Sequence, residues 1–251
     1  MNSTFYGLES FLFGKSTLCQ PERELLGDLC NKKLLHLQCH FGLDTLSLGR
    51  LGAIVTGIDF SEKAIANARC IADKAQISAE FYCEDVLQLS PTHLDFDIVF
   101  SSYGFLCWLS NLDKWASNIF AALRKGGKFV CVEFHPILEV FYKGKMTGAQ
   151  QYFSMPEPSL IEETGSYAVP DANVKTKQFL WQYSLSSVLS ALIKAGFRIN
   201  VFKEYDYCSF GLFDNLVLDK KDGLFKDPYN PGKYPYMYSI VAEKTTNKTG
   251  A

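Results

Sequence analysis

The chain has 251 residues, with 25 basic and 27 acidic side chains and a net charge of −2 at pH 7. That length holds one α/β domain with an inserted cap, or two small domains. Without a basic block there is no electrostatic footprint for nucleic acid or an anionic membrane surface. No apolar run approaches the ~20 residues that span a bilayer. The opening MNSTFYGLESFLFGK lacks the basic start and apolar centre of a secretory signal, so a cytoplasmic protein is expected. None of the eight cysteines forms a CxxC pair. Cys39, Cys83, Cys107 and Cys131 sit in or beside apolar runs, which reads as buried, reduced thiols rather than disulfides or a metal site.

Residues 1–33 carry a mixed helical pattern, with the helix expected at 22–30. Leu34, Leu35 and Leu37 then form a short apolar run suited to a strand buried on both faces. A turn around Gly42 follows. Leu43, Leu46, Leu48 and Leu51 recur at helical spacing after it. Residues 53–58 make a second apolar strand that ends at Asp59, and Ser61 stands at a helix N-cap before EKAIANARCIADKA. In such a βαβ unit an acid at the end of the second strand faces the crevice above the first turn. A carboxylate there can accept both hydroxyls of a ribose, so the unit is expected to hold a nucleoside.

Strands are predicted next at 80–84 and 96–101, followed by a mostly helical stretch over 108–124 that Gly126 and Gly127 would stop. A fifth strand is predicted at 128–134, an amphipathic helix at 184–195 closed by Gly196, and two late strands at 198–205 and 236–243. The regular alternation argues for a mostly parallel sheet covered by helices. Two stretches break it, 136–180 and 208–235. Both are rich in Pro, Gly and aromatics, and loops of that length are usually functional or disordered.

Residues 34–69 resemble the S-adenosylmethionine site of class I methyltransferases, whose first strand and turn read like VLDLGCGTG and whose second strand ends like VTGVDLS. Residues 34–42 lie over the first and VTGIDFS, residues 55–61, over the second. His36 stands at the family's usual acid, and Gln38 and His40 at its first two glycines, while Cys39 and Gly42 keep the family residue. The string LHLQCHFG-DTLSL is similar to a bacterial branch of this superfamily. The resemblance implies a seven-stranded, mostly parallel, doubly wound α/β sheet with helices on both faces, an antiparallel last strand and an inserted cap. It also implies S-adenosyl-L-methionine as cofactor and a small molecule as methyl acceptor. Residues 1–135 would supply the N-terminal helices and the cofactor-binding half of the sheet, 136–180 a cap or lid, and 181–251 the rest of the same domain.

On that resemblance, Gln38, Cys39, His40 and Gly42 wrap the methionine end of the cofactor, chiefly through main-chain groups. Asp59 and Phe60 serve the ribose. Asp85, with Val86, holds the adenine edge, and Glu84 competes for that place. His40 has a second reading as a satisfied histidine in the turn, and His36 reads as structural. Ser101 and Ser102 end the fourth strand, where ligands bind in open α/β sheets. Tyr103 and Trp108 are candidate pocket walls, Trp115 is expected in the core, and Trp181 begins the return from the cap. The branch often carries Trp-Asn-His where this chain has Trp181-Gln182-Tyr183. His135, at the end of the fifth strand, is the one candidate general base, as a neutral imidazole can take a proton near pH 7.

The sulfonium carbon of such a donor is already electrophilic, so alignment carries most of the reaction and a clear catalytic dyad is not required. The chain has no G-x-S-x-G elbow and no G-x-x-x-x-G-K-[ST] loop, which disfavours a hydrolase and a P-loop nucleotidase. Two alternatives stay open: a non-catalytic descendant that binds the cofactor or nothing, and an NAD-type oxidoreductase. The oxidoreductase suffers from a first turn with one glycine where three are needed. The acceptor, the atom methylated and the oligomeric state are not legible.

Overall fold

The computed structural model describes residues 7–142, 145–146, 151–164 and 175–245. Two short helices, α1 (Leu8–Leu12) and α2 (Gln20–Leu26), precede the sheet. Then β1 (Lys33–Leu37), α3 (Leu43–Arg50), β2 (Ile54–Asp59), α4 (Glu62–Ala75), β3 (Glu80–Cys83) and β4 (Phe96–Ser102) alternate. After them come α5 (Leu112–Ala122) and β5 (Leu123–Phe134). The chain returns through α6 (Leu185–Ala195), between the hairpins β6 (Phe141–Tyr142)/β7 (Lys145–Met146), β8 (Ser159–Thr164)/β9 (Lys175–Leu180) and β10 (Phe197–Tyr205). It closes with β11 (Tyr207–Cys208), β12 (Val217–Asp219), β13 (Leu224–Lys226) and β14 (Met237–Lys244).

Seven strands form one sheet in the order β10-β14-β5-β4-β1-β2-β3. β1 pairs in parallel with β2 and β4, and β14 runs antiparallel to both β5 and β10. The sheet is thus mostly parallel with an inverted last strand, as the sequence predicts. The strand order reverses at β1 and β4. The crevice beyond the carboxyl ends of these two strands is therefore where a ligand belongs.

Strand faces alternate strictly. Leu35, Leu37, Val99, Phe129 and Cys131 pack with Trp115 and Ile119 of α5 and with Val188 and Leu192 of α6. On the opposite face Leu34, Val55, Ile98, Phe100 and Val130 pack with Leu26, Leu29 and Leu48. Helix starts follow side-chain chemistry. Ser61 accepts the Ala64 N–H, Asn111 that of Lys114, and Ser184 that of Ser187, each filling a donor the helix cannot.

The structure departs from the sequence reading in four places. The N-terminal helix is Gln20–Leu26, set by Pro21 in its first turn and by Gly27 at φ 69°. The helix expected over 108–124 is α5 alone and ends at Ala122. Gly126 and Gly127 instead lie within β5, where the register with β4 shifts between Phe96↔Leu123 and Ile98↔Lys128. The stretch 208–235 builds its own three-stranded sheet, in the order β11-β13-β12. Cys83 is exposed and Cys107 half-buried, whereas Cys39 and Cys131 are buried, and all eight thiols are free. Within the expected cap, residues 143–144, 147–150 and 165–174 lie outside the described residues.

Phe81 of β3 fills the gap between the first two strands and α3. A Cβ on Gly57 would stand 2.6 Å from the Phe81 ring and 2.9 Å from Cys39 Sγ. Gly57→Ala is therefore expected to destabilise the chain by about 1–3 kcal/mol, the usual cost of overpacking, read as a lower urea midpoint.

Candidate functional site

The crevice is built on the turn between β1 and α3. Three of its five residues have left-handed backbones: Gln38 at φ 54°, His40 at φ 52° and Gly42 at φ 80°. A residue with a Cβ enters that region at a cost of about 1–2 kcal/mol. Main-chain bonds hold the turn against it: Cys39 N–H donates to Ile58 O and Gly42 N–H to Cys39 O, both at 2.9 Å. Asp59 adds the decisive tie. Its Oδ2 accepts the His40 N–H and its Oδ1 the Ser61 N–H, each at 2.9 Å. One buried carboxylate thereby joins the turn to the end of β2 and the start of α4. The oxygens keep further lone pairs for a ligand.

Gln38, Phe60, Glu84, Asp85, Val86, Trp108 and Leu109 line a cleft beside this turn. Gln38 Nε2 donates to Phe105 O at 3.0 Å, and its buried Oε1 has no partner among the described residues. Phe60 is 66% and Trp108 43% exposed, an unusual state for aromatics facing one cleft. Asp85 caps the short turn after β3, accepting from Leu87 N–H. Glu84 is committed elsewhere, with Oε1 3.0 Å from His93 Nε2 and Oε2 accepting from Ser90 N–H.

The wall that carries Trp108 is shaped by Glu133, which the sequence reading passed over. Its carboxylate is 4% exposed and accepts four main-chain N–H groups: Gly104 at 2.5 Å, Phe134 at 2.7 Å, Phe105 at 2.9 Å and Leu106 at 3.4 Å. Burial pushes its pKa up while the amides pull the other way. An acid inside the apolar run VCVEF was the signal that could have found it.

A second acidic group lies behind the turn. Glu22 of α2 is 1% exposed, and its Oε2 has no partner among the described residues. Burial, followed by the neighbouring Asp44, raises its pKa from the ordinary 4.5 to about 7. Asp44 of α3 is also raised by burial and is bonded to Thr17 Oγ1. Tyr103, at φ 48°, closes the group and places its hydroxyl 3.0 Å from Ser209 Oγ. Neither Glu22 nor Asp44 forms an ion pair among the described residues.

The remaining expected site residues fall as follows. His36 is buried, bonds Thr45 Oγ1 through Nδ1 at 2.8 Å, and is pushed down to about 3 by desolvation, which leaves it neutral. Cys39 is buried against Phe81 and Gly57. Ser101 is fully buried with an unpartnered Oγ, and Ser102 is half-buried. His135 has both ring nitrogens engaged: Nε2 lies 2.8 Å from Glu204 Oε1, and Nδ1 accepts the Ile137 N–H at 3.1 Å. That arrangement suits a strut between β5 and β10 more than a proton acceptor. Trp181 donates its N–H to Cys107 O but lines a different cavity of ≈ 480 Å³, with Leu112, Met155 and Tyr183. Trp108 and Trp181 therefore do not wall one pocket.

A doubly wound sheet with a left-handed first turn and an acid closing β2 defines a Rossmann-like α/β fold. Residues 34–127 match the model of the methyltransferase domain family. A ubiquinone biosynthesis O-methyltransferase of Coxiella burnetii is 30% identical over 129 residues, covering 51% of this chain and 53% of that protein. The chain thus spans about half the length of the curated relatives it matches. An S-adenosylmethionine-dependent methyltransferase from Mesorhizobium loti shares the fold at a TM-score of 0.58 and 20% identity, over 92% of this chain and 99% of that one. So does a magnesium protoporphyrin IX methyltransferase from Synechocystis with bound SAH, at a TM-score of 0.53 and 15% identity, over 97% and 95% of the two chains. Among the described residues no helix is long and apolar enough to cross a membrane.

Two outcomes follow from the geometry. Gln38→Val should destabilise the chain by about 1–3 kcal/mol more than Gln38→Gly, because a β-branched residue is the poorest fit to a left-handed backbone. Paired denaturant melts of the two variants check this. Glu22 titrates with a raised folded pKa, so its charge opposes folding above about pH 7 and ceases to do so as the pH falls toward 4.5. Glu22→Gln should therefore melt higher than the wild type at pH 8, by up to about 3 kcal/mol, and the gap should close near pH 4.5.

Proposed function

We propose that the protein transfers a methyl group from S-adenosyl-L-methionine to a small-molecule acceptor. The reading is carried by the left-handed turn Gln38–Gly42 tied to Asp59, opening onto a cleft with an orphaned amide oxygen and two exposed aromatics.

The residues fit the donor. Gln38 to Gly42 present main-chain groups to its methionine end, and Asp59 keeps lone pairs for ribose hydroxyls. Phe60 and Trp108 offer faces to a purine, and Gln38 Oε1 an acceptor for an N–H group. The cleft holds only ≈ 30 Å³ of open space, so these two exposed side chains have to part when a purine enters. Bound there, the donor supplies an electrophilic methyl carbon. The chain's part is to align the acceptor and exclude water. The β4 exit loop, with Tyr103, lies where an acceptor would approach. The name of the Coxiella relative supports a small-molecule acceptor, and the reading extends that to this chain.

Calorimetry with S-adenosylhomocysteine tests the proposal. Asp59→Asn keeps the size of the side chain but turns one oxygen into a donor. It should weaken binding by about 1.5–3 kcal/mol, the scale of hydrogen bonds to a charged group. Wild-type protein that fails to bind this ligand, or Asp59→Asn with undiminished affinity, would reject the assignment.

A further inference from the structure

Behind the turn the polar groups of three chain segments meet without a counter-charge. α2 contributes Cys19 at its cap and Glu22, α3 contributes Asp44, and the β4 exit contributes Tyr103, bonded to Ser209. Burial acts most strongly on Glu22, followed by the Asp44 charge, while hydrogen bonds from its own main chain, the Tyr103 hydroxyl and the Cys19 main chain work the other way. Tyr205 of β10 also feels its charge. None of these is a cation. Cys19 and Tyr103 are themselves held neutral, since burial raises both of their pKa values. A buried carboxylate with no positive partner is costly and is ordinarily paired. Here Glu22 is 1% exposed, its Oε2 has no partner among the described residues, and its charge acts on both Cys19 and Tyr103. Ser102 and Tyr103, at the exit of β4, are half-buried.

We infer that Glu22, Asp44 and Tyr103 form a subsite for a cationic nitrogen of the bound ligands, with the Glu22 carboxylate as its direct partner. Two sources carry that chemistry. One is the α-ammonium at the amino-acid end of the donor; the other is an amine on the acceptor. The donor arm rests on the functional reading above. An ammonium placed here offsets the charge of both acids and fills the orphan oxygen with a charge-assisted bond, which is the strong kind.

The test compares wild-type protein with Glu22→Gln, which preserves shape and removes the charge. Binding of S-adenosylhomocysteine, which bears the ammonium, is measured beside that of 5′-methylthioadenosine, which lacks it. In parallel, a panel of primary amines is paired with alcohols of the same shape in thermal-shift titrations, on free and S-adenosylhomocysteine-loaded protein. If the donor fills the subsite, Glu22→Gln loses roughly tenfold or more in S-adenosylhomocysteine affinity and keeps its 5′-methylthioadenosine affinity. If the acceptor fills it, both nucleoside affinities stay. Amines then stabilise the loaded wild type more than their alcohols do, and Glu22→Gln abolishes the difference. Unchanged nucleoside affinities together with equal responses to amines and alcohols overturn the inference and leave the functional reading standing. Wild-type protein that binds neither nucleoside removes the functional reading, while the amine panel on the free chain still decides the subsite. Should Glu22→Gln fail to fold, Asp44→Asn replaces it and the same outcomes apply.

Discussion

Glu133 sets a carboxylate inside the sheet where four main-chain amides converge on it, from Gly104, Phe105, Leu106 and Phe134. Withdrawing a charge from water carries a large penalty, and charge-assisted bonds of this number are what offset it. The bonds also fix the path of the chain as it leaves β4. That path puts Phe105 O within reach of Gln38 Nε2, sets Trp108 against the cleft and turns Tyr103 toward α2. Three features of the crevice thus descend from one side chain that faces no ligand.

The first turn shows what a glycine-rich motif specifies. Its demand is on backbone conformation, and glycine is only the cheapest way to meet it. Here Gln38 and His40 occupy the left-handed region with full side chains, held there by the Ile58 carbonyl and the Asp59 carboxylate. The substitution brings something in return. A glycine has no side chain to reach Phe105, whereas Gln38 bridges the turn to the β4 exit and offers its oxygen to the cleft. Where glycine is kept, at Gly42, added bulk would strike the Phe81 ring at 2.7 Å. The two kinds of position differ in the space around them, not in φ.

The order strand, turn, helix, strand, acid was legible because each step has a local signature: apolar runs, Ser61 as cap and Asp59 after a β-branched strand. The later helix over 185–195 was legible for the same reason, with Ser184 and Gly196 marking its ends. What escaped the sequence was tertiary. Nothing local in VCVEF says that Glu133 gathers amides from a loop 28 residues away. Nothing in QPERELL says that Glu22 will meet Asp44 and Tyr103. Gly126 and Gly127 misled because glycine serves a helix stop and a strand kink equally well. Trp181 meets the main chain beside Trp108 at Cys107 O yet lines a different cavity, a placement that periodicity does not encode.

The N-terminal arm is fastened by cations reaching its main chain from the body of the domain. Lys128 Nζ donates to the carbonyls of Leu25 and Leu26, filling acceptors at the end of α2, and Arg50 Nη1 donates to Phe11 O while its guanidinium lies 4.0 Å from the Phe11 ring centroid. The Lys128 tie closes a loop of more than a hundred residues. The arm takes part in no strand ladder, and beside these bonds it is held by the burial of Phe11 and Leu26. A segment held by side-chain bonds rather than by a ladder is expected to exchange its amides more readily than β1 or β4. Because Glu22 rides on that arm, the acidic group behind the turn depends on a segment fastened through side chains rather than through the sheet.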